Sequence, residues 1–403
     1  MAIPVTILSG TLGAGKTTLV NNVLSAEHDH DVAVLVNDMG EVNVDAEFIT
    51  REFDDQDIVE LSNGCICCGM AGELEQAVLE LATGHEFEYL LVEPSGISEP
   101  KAVARQFVQG RASPFYELDT VATVVDARQF YKAFEAGEPR RRGTDSDGRP
   151  LSDLIVDGVE FCDTLILNKT DLVSDGEQGA IEETLRAFQP AARLLSTTYG
   201  QVAPVDILGT GRFDPHEVEG NASWKQALEA HRSGDSHDDD QHNHDDGDDG
   251  HSHDHAHPPE IYNVDSFVYH QPKPMHPERL AEFLRTTPAE LIRAKGWLHV
   301  AGRPKHALDL SLAGHEAQVT VAGRWIASLP ADDQEHYRKL RDPNWTDTYG
   351  DRETQLVCIG KQLDESAIRN ELDACVLAED ESVDSAENPF PDSERERLRL
   401  SPE

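Results

Sequence analysis

Apolar residues along this chain follow two rhythms. Short unbroken runs rich in Val, Ile and Leu occur at IPVTILS (3–9), DVAVLVND (31–38), YLLVEPSG (89–96), TVATVVDA (120–127), DTLILNKTD (163–171) and ARLLSTT (192–198). Between them lie stretches whose apolar positions recur every three or four residues: TTLVNNVLSA (17–26), GELEQAVLELATG (72–84) and SDLIVDGVEF (152–161). The runs predict strands buried on both faces and the periodic stretches predict helices. Their alternation predicts an α/β domain with a parallel sheet over residues 1–212.

The pattern changes further along. Residues 235–257 hold seven His and nine Asp and nothing apolar larger than Ala. Such a segment cannot bury a core, so 213–260 reads as a linker with a disordered stretch inside it. Order returns at YNVDSFVYH. Strands are expected at SFVYH, WLHVAG, ALDLSLAG, EAQVTVAG and QLVCIG, with helices at HPERLAEFLRT and ESAIRNELDACVL. This predicts a smaller α+β domain over 261–377. The charged segment 378–403 reads as a disordered acidic tail, and the polar stretch 138–150 as a mobile insertion.

Charge narrows the function. The 403 residues carry 76 Asp plus Glu against 34 Lys plus Arg, a formal net charge of -42. The excess is spread along the chain. It fits a protein adapted to a salt-rich cytoplasm, where screening offsets self-repulsion. No basic stripe is present to neutralise phosphates, which argues against nucleic acid as a partner. No run of 18 apolar residues and no basic, apolar leader are visible, so neither a membrane span nor a signal peptide is expected. Six sparse cysteines suit a reducing compartment, and a cytoplasmic location is the expectation.

Three short motifs carry chemistry. GTLGAGKT, following a strand and opening a helix, fits the phosphate-loop pattern. Its backbone, from Gly10 through Gly13, Ala14, Gly15 and Thr18, would cradle phosphates at a helix N-terminus. Lys16 would reach the outer phosphates, and the Thr17 hydroxyl would bind Mg²⁺. At a later strand end stands NKTD, the N-K-x-D pattern of GTP-binding proteins. The Asp171 carboxylate can accept two hydrogen bonds from guanine, a donor pair adenine lacks. Asn168 would hold the base edge and neighbouring loop, and Lys169 would pack over the ring. In LLVEPSG, Glu93 is placed to hold magnesium through water, and the Gly96 N–H to sense the γ-phosphate.

The third motif is LSNGCICCGM, with Cys65, Cys67 and Cys68 in four positions. Adjacent cysteines make a strained disulfide, and three leave one over. A metal site or a reactive nucleophile remains. Cys162, Cys358 and Cys375 lie in apolar contexts and read as core.

Together, GTLGAGKTT, VNDMGEVNVDAE, GCICC, EPSGISEP, LNKTDL, the histidine-rich linker, RAKGWLHV and GDRETQLVCIG resemble the CobW-type P-loop GTPases, which look like metallochaperones. The resemblance spans most of residues 3–377. It implies a P-loop NTPase domain followed by a CobW C-terminal domain, with GTP hydrolysis at a site where Lys16, Glu93 and Asp38 are the catalytic candidates. It also implies a transition metal at Cys65, Cys67 and Cys68, most suitably zinc, with cobalt or nickel open. Thiolates favour zinc, and adjacent cysteines do not easily share one ion, so two of these thiols plus a carboxylate or a histidine form the expected set, with Asp38 or Glu41 able to supply the oxygen. One departure matters: the family reads N-E-F-G-E where this chain has Asn37, Asp38, Met39, Gly40 and Glu41, shortening the second side chain by a methylene. The imidazoles of His251, His253, His255 and His257 would collect metal without fixed geometry. The expected function is a GTP-hydrolysing metallochaperone that delivers its ion to a client metalloprotein. The alternatives are a metal buffer with incidental GTPase activity and a GTPase assisting cobalt-cofactor or nitrile hydratase maturation. The client and any homo-oligomer stay open.

Overall fold

The computed structural model describes residues 2–26, 31–36, 58–60, 71–94, 96, 99–134, 149–214, 225, 264–341, 345–383 and 388–402. Asp38, Glu41, the three clustered cysteines, most of the 138–150 insertion and the linker histidines lie outside the described residues. The chain divides into two compact units, Met1–Ala222 and Ser223–Glu403.

The first unit is built on β1 (Ile3–Ser9), β2 (Val32–Val36), β3 (Ile58–Glu60), β4 (Tyr89–Glu93), β5 (Tyr116–Asp126), β6 (Thr164–Asn168) and β7 (Arg193–Ser196). They form one sheet in the order β3-β2-β4-β1-β5-β6-β7, with every neighbouring pair parallel. Every residue of β2, β4 and β6 is buried. That is why these strands read as unbroken apolar runs: helices cover both faces of a parallel sheet. Among the described residues the helices are α1 (Lys16–Ser25), α2 (Ala71–Gly84), α3 (Pro100–Val108), α4 (Ala127–Phe134), α5 (Leu151–Glu160) and α6 (Asp175–Phe188). The last is started by a capping box between Ser174 and Glu177. In α1, Leu19, Val20, Val23 and Leu24 join Val32, Val34, Val36 and Leu91 in one core cluster. This fixes the phosphate-loop helix to the sheet.

The second unit is antiparallel: β8 (Val264–Gln271), β9 (Leu291–Leu298), β10 (His306–Ala313), β11 (Glu316–Arg324), β12 (Thr354–Lys361) and β13 (Arg397–Leu400), in the order β13-β11-β10-β9-β12-β8. Helices α7 (Pro277–Arg285) and α9 (Glu365–Ala374) bury Leu280, Leu284, Ile368 and Leu372 in its core, while α8 (Ala331–Arg341) is largely exposed. Just past β9, His299 is buried. Its Nδ1 lies 3.0 Å from the Pro272 carbonyl, and the Trp325 and Tyr349 rings flank it.

Two expectations are corrected here. The strand expected at 297–302 starts at Leu291 instead, because Arg293 and Lys295 hid its apolar rhythm. Arg293 is fully buried and donates to the Ser311 hydroxyl and the Leu312 carbonyl. The segment 378–403 is not a free tail in its described part. Phe390 and Leu400 enter the core, and β13 pairs with β11. The buried Arg303 guanidinium donates to the carbonyls of Phe390 and Asn388. Two well-placed apolar side chains outweigh the charge around them.

Candidate functional site

The carboxyl ends of the parallel strands bring the candidate residues together, where open α/β sheets bind ligands. After β1 the chain turns through residues 10–15 and enters α1 at Gly15, whose φ of +107° is in the left-handed region. A Cβ at Gly15 would lie 2.3 Å from Asn168 Nδ2, so a side chain fits neither the backbone angle nor the space. Lys16 is 6% exposed and folds back, its Nζ donating to the Gly10 carbonyl at 3.0 Å. The first turn of α1 carries no acidic residue. Its N-terminal field therefore adds to the Lys16 charge, and the pair makes an anion cradle.

Thr17 faces the neighbouring strand. Its Oγ1 donates to Glu93 Oε1 at 3.0 Å, and Glu93 is buried at the end of β4. A hydroxyl and a carboxylate are hard oxygen donors beside a phosphate loop, so this pair fits Mg²⁺. Gly96 sits against the phosphate loop, where an added Cβ would come within 2.5 Å of the Leu12 nitrogen. Val36, the last described residue before Asn37 and Asp38, pairs with Glu93 on one side and Glu60 on the other. The segment holding the three cysteines begins directly after Glu60.

On the other side of the loop, Asn168 is 1% exposed at the end of β6. Its Nδ2 donates to the Ala14 carbonyl at 2.9 Å, and its Oδ1 accepts from Gly200 N at 2.9 Å. Lys169 takes a φ of +61°. Its ammonium donates to the Gly13 carbonyl and pairs with Asp126 at 2.8 Å. The charged tip is thereby engaged, which leaves the aliphatic stem for contact with a ring. Asp171 lies in a 3-10 turn, Thr170–Leu172, with its side chain exposed. The loop after β7 is tied in as well. Thr197 O accepts from Thr170 N, and Asn22 of α1 donates to Tyr199 O at 2.7 Å. One set of hydrogen bonds thus joins the phosphate loop, the N-K-x-D turn and the loop after β7.

Sequence reasoning missed three members of this set. Asp126 was visible only as a polar residue near the end of an apolar run. Asn22 and the Tyr199–Gly200 turn carried no motif. The turn is marked in the structure by φ values of +52° and +64°.

Comparison with known proteins gives the chain its family. The profile of the CobW/HypB/UreG nucleotide-binding domain matches residues 4–196, and that of the cobalamin synthesis protein cobW C-terminal domain matches 264–376. The zinc-regulated GTPase metalloprotein activator 1 of Dictyostelium discoideum is 35% identical over 408 residues, covering 94% of this chain and 81% of that protein. The zinc chaperone CobW of a Sinorhizobium species is 26% identical over 390 residues, covering 93% and 97%. Among solved structures, the Zn(II)-bound YjiA GTPase from E. coli aligns at 20% identity with a TM-score of 0.40, covering 94% of this chain and all of that one. With its P-loop domain, its parallel sheet and both domain profiles in sequence order, the chain belongs to the CobW/HypB/UreG family of GTPases, in the branch with a CobW C-terminal domain.

Proposed function

We propose that this GTPase handles a zinc ion held at Cys65, Cys67 and Cys68 and releases it to a client metalloprotein when GTP is hydrolysed. The observation that carries the reading is the register at the carboxyl edge, where Val36 pairs with Glu93 and with Glu60. In sequence, Asp38 and Glu41 follow Val36 by two and five residues, and Cys65 follows Glu60 by five. The names of the relatives, zinc chaperone and zinc-regulated activator, support zinc as the cargo.

The chain's own groups divide the work. Asp171 selects guanine through its exposed carboxylate. Asn168 and Lys169 hold the base turn against the phosphate loop, so occupancy of one is felt by the other. The backbone from Gly10 to Thr18, with Lys16, binds the phosphates and stabilises the charge that grows as the γ-phosphoryl leaves. Thr17 and Glu93 would hold Mg²⁺, which would supply positive charge to offset that of the phosphates. Gly96, where an added Cβ would meet the Leu12 nitrogen, would sense the γ-phosphate through its N–H. Asp38 is the candidate to orient the attacking water, and with Glu41 to complete the oxygen side of the zinc set. The histidines at 251, 253, 255 and 257 act as a loading reserve. Among the described residues no helix is long and apolar enough to cross a membrane.

The test is a single turnover. Protein carrying one zinc and one GTP is mixed with excess chromophoric chelator, and phosphate release and zinc capture are followed together. Zinc leaving with the phosphate supports the reading. Zinc leaving at one rate whether or not GTP is cleaved contradicts it.

A further inference from the structure

Asn21 is 6% exposed on α1, and among the described residues neither its Oδ1 nor its Nδ2 has a hydrogen-bond partner. Its neighbour Asn22, about 100° further round the helix, donates its Nδ2 to Tyr199 O. A buried amide without partners costs more than a made hydrogen bond contributes, and an apolar residue of the same size would avoid that cost. An amide at this place therefore points to a ligand.

The helix says where that ligand lies. Asn21 follows Thr17 by four residues, so the two share one edge of α1. Helical side chains lean toward the N-terminus, which brings the amide over the turn that carries Thr17. The Thr17 hydroxyl is in turn bonded to Glu93. A polar group with two open valences, set one turn behind a cation-binding pair, suits an ordered water, which needs two to four polar partners.

We propose that Asn21 holds a buried water behind the Thr17–Glu93 pair and acts as a positioning residue for magnesium. This rests on the reading of Thr17 and Glu93 as the magnesium site. The amide donates to and accepts from the water, which bonds onward to the oxygens of that pair and fixes their orientation. Asn21 itself touches neither nucleotide nor ion.

Asn21→Leu separates this role from a structural one. GDP binding is titrated against Mg²⁺, with an EDTA arm, and the melting midpoint is taken without nucleotide. The Mg²⁺ concentration needed for half-maximal tightening of GDP is expected to rise about tenfold, as for loss of one well-made hydrogen bond. GDP affinity in EDTA should stay within twofold, and the melting midpoint should hold or rise. Asn21→Ser, which keeps a hydroxyl for a water, should shift the Mg²⁺ requirement by no more than about threefold. It also serves if the leucine variant does not fold. An unchanged Mg²⁺ requirement in Asn21→Leu overturns the proposal whichever way the midpoint moves, and so does a serine variant as impaired as the leucine one. If wild-type GDP binding ignores Mg²⁺, or Thr17→Ala leaves its Mg²⁺ dependence intact, the underlying magnesium assignment has failed instead.

Discussion

Asn168→Ala should uncouple the two halves of the nucleotide site. The side chain holds the Ala14 carbonyl and the Gly200 N–H, each at 2.9 Å, and is 1% exposed. Truncation leaves both backbone groups buried without this partner, at about 1 to 3 kcal/mol each. Part of that loss falls on the free protein. The part that falls on the complex, where phosphate loop and base turn must be held together, is about 1.4 to 2.8 kcal/mol, a 10- to 100-fold drop in GDP affinity. Isothermal titration at fixed Mg²⁺ reads it directly. Asn168→Asp is the control: it keeps an acceptor for Gly200 N but sets a carboxylate against the Ala14 carbonyl, and should be at least as damaging. GDP affinity within twofold of wild type, with only the melting midpoint lowered, would refute the coupling and leave Asn168 a structural strut.

Asp171→Asn should weaken GTP binding by about 2 to 4 kcal/mol through loss of a charged hydrogen-bond pair; equal ATP and GTP affinity in the wild type would sink the assignment. Burial pushes the His299 imidazole down to about 4, from an ordinary 6.5, against its hydrogen bond to the Pro272 carbonyl, with Arg352 adding to the drop and Asp351 opposing it. His299 is thus neutral in the fold, and its contribution is full above pH 6.5 and lost as pH falls from 6.5 to 4, about 3 kcal/mol over the window. Urea unfolding of the second unit at pH 7 and pH 5 should show the loss, and His299→Gln should lessen it; an acid limb identical in the variant would contradict the attribution. The net charge of -42 predicts a melting midpoint that rises from dilute to concentrated KCl, and a flat or falling midpoint would count against salt adaptation.

Strands of the first unit were legible because burial on both faces leaves no polar alternation to misread: the run at 3–9 coincides with β1, and the apolar parts of the runs at 31–38, 89–96 and 163–171 contain β2, β4 and β6, whose polar ends lie beyond the strands. The phosphate loop and N-K-x-D turn were legible because their chemistry is local. What joins them was not, since Lys169 reaches Asp126 and Gly13 across 43 and 156 positions of sequence. The second unit was harder. Its β9 carries Arg293 and Lys295 among apolar residues, and only the partner strand shows why Arg293 is tolerated. The 378–403 segment was misjudged because local composition says nothing about two side chains that complete a distant core. The orphaned Asn21 amide has no sequence signature at all, because an unmet hydrogen bond is a property of the packed state.

The central claim is that nucleotide and zinc bind as one coupled system. The direct measurement is the zinc affinity of the full chain, by competition with a chromophoric chelator, in complex with a non-hydrolysable GTP analogue and with GDP. By linkage each ligand alters the other's affinity by the same factor, typically worth about 1 to 3 kcal/mol in coupled systems. The account predicts at least about a fivefold difference between the two states, shrinking in Cys67→Ser while GDP affinity holds. Identical zinc affinities in the two states would contradict it and leave the cysteines an uncoupled store.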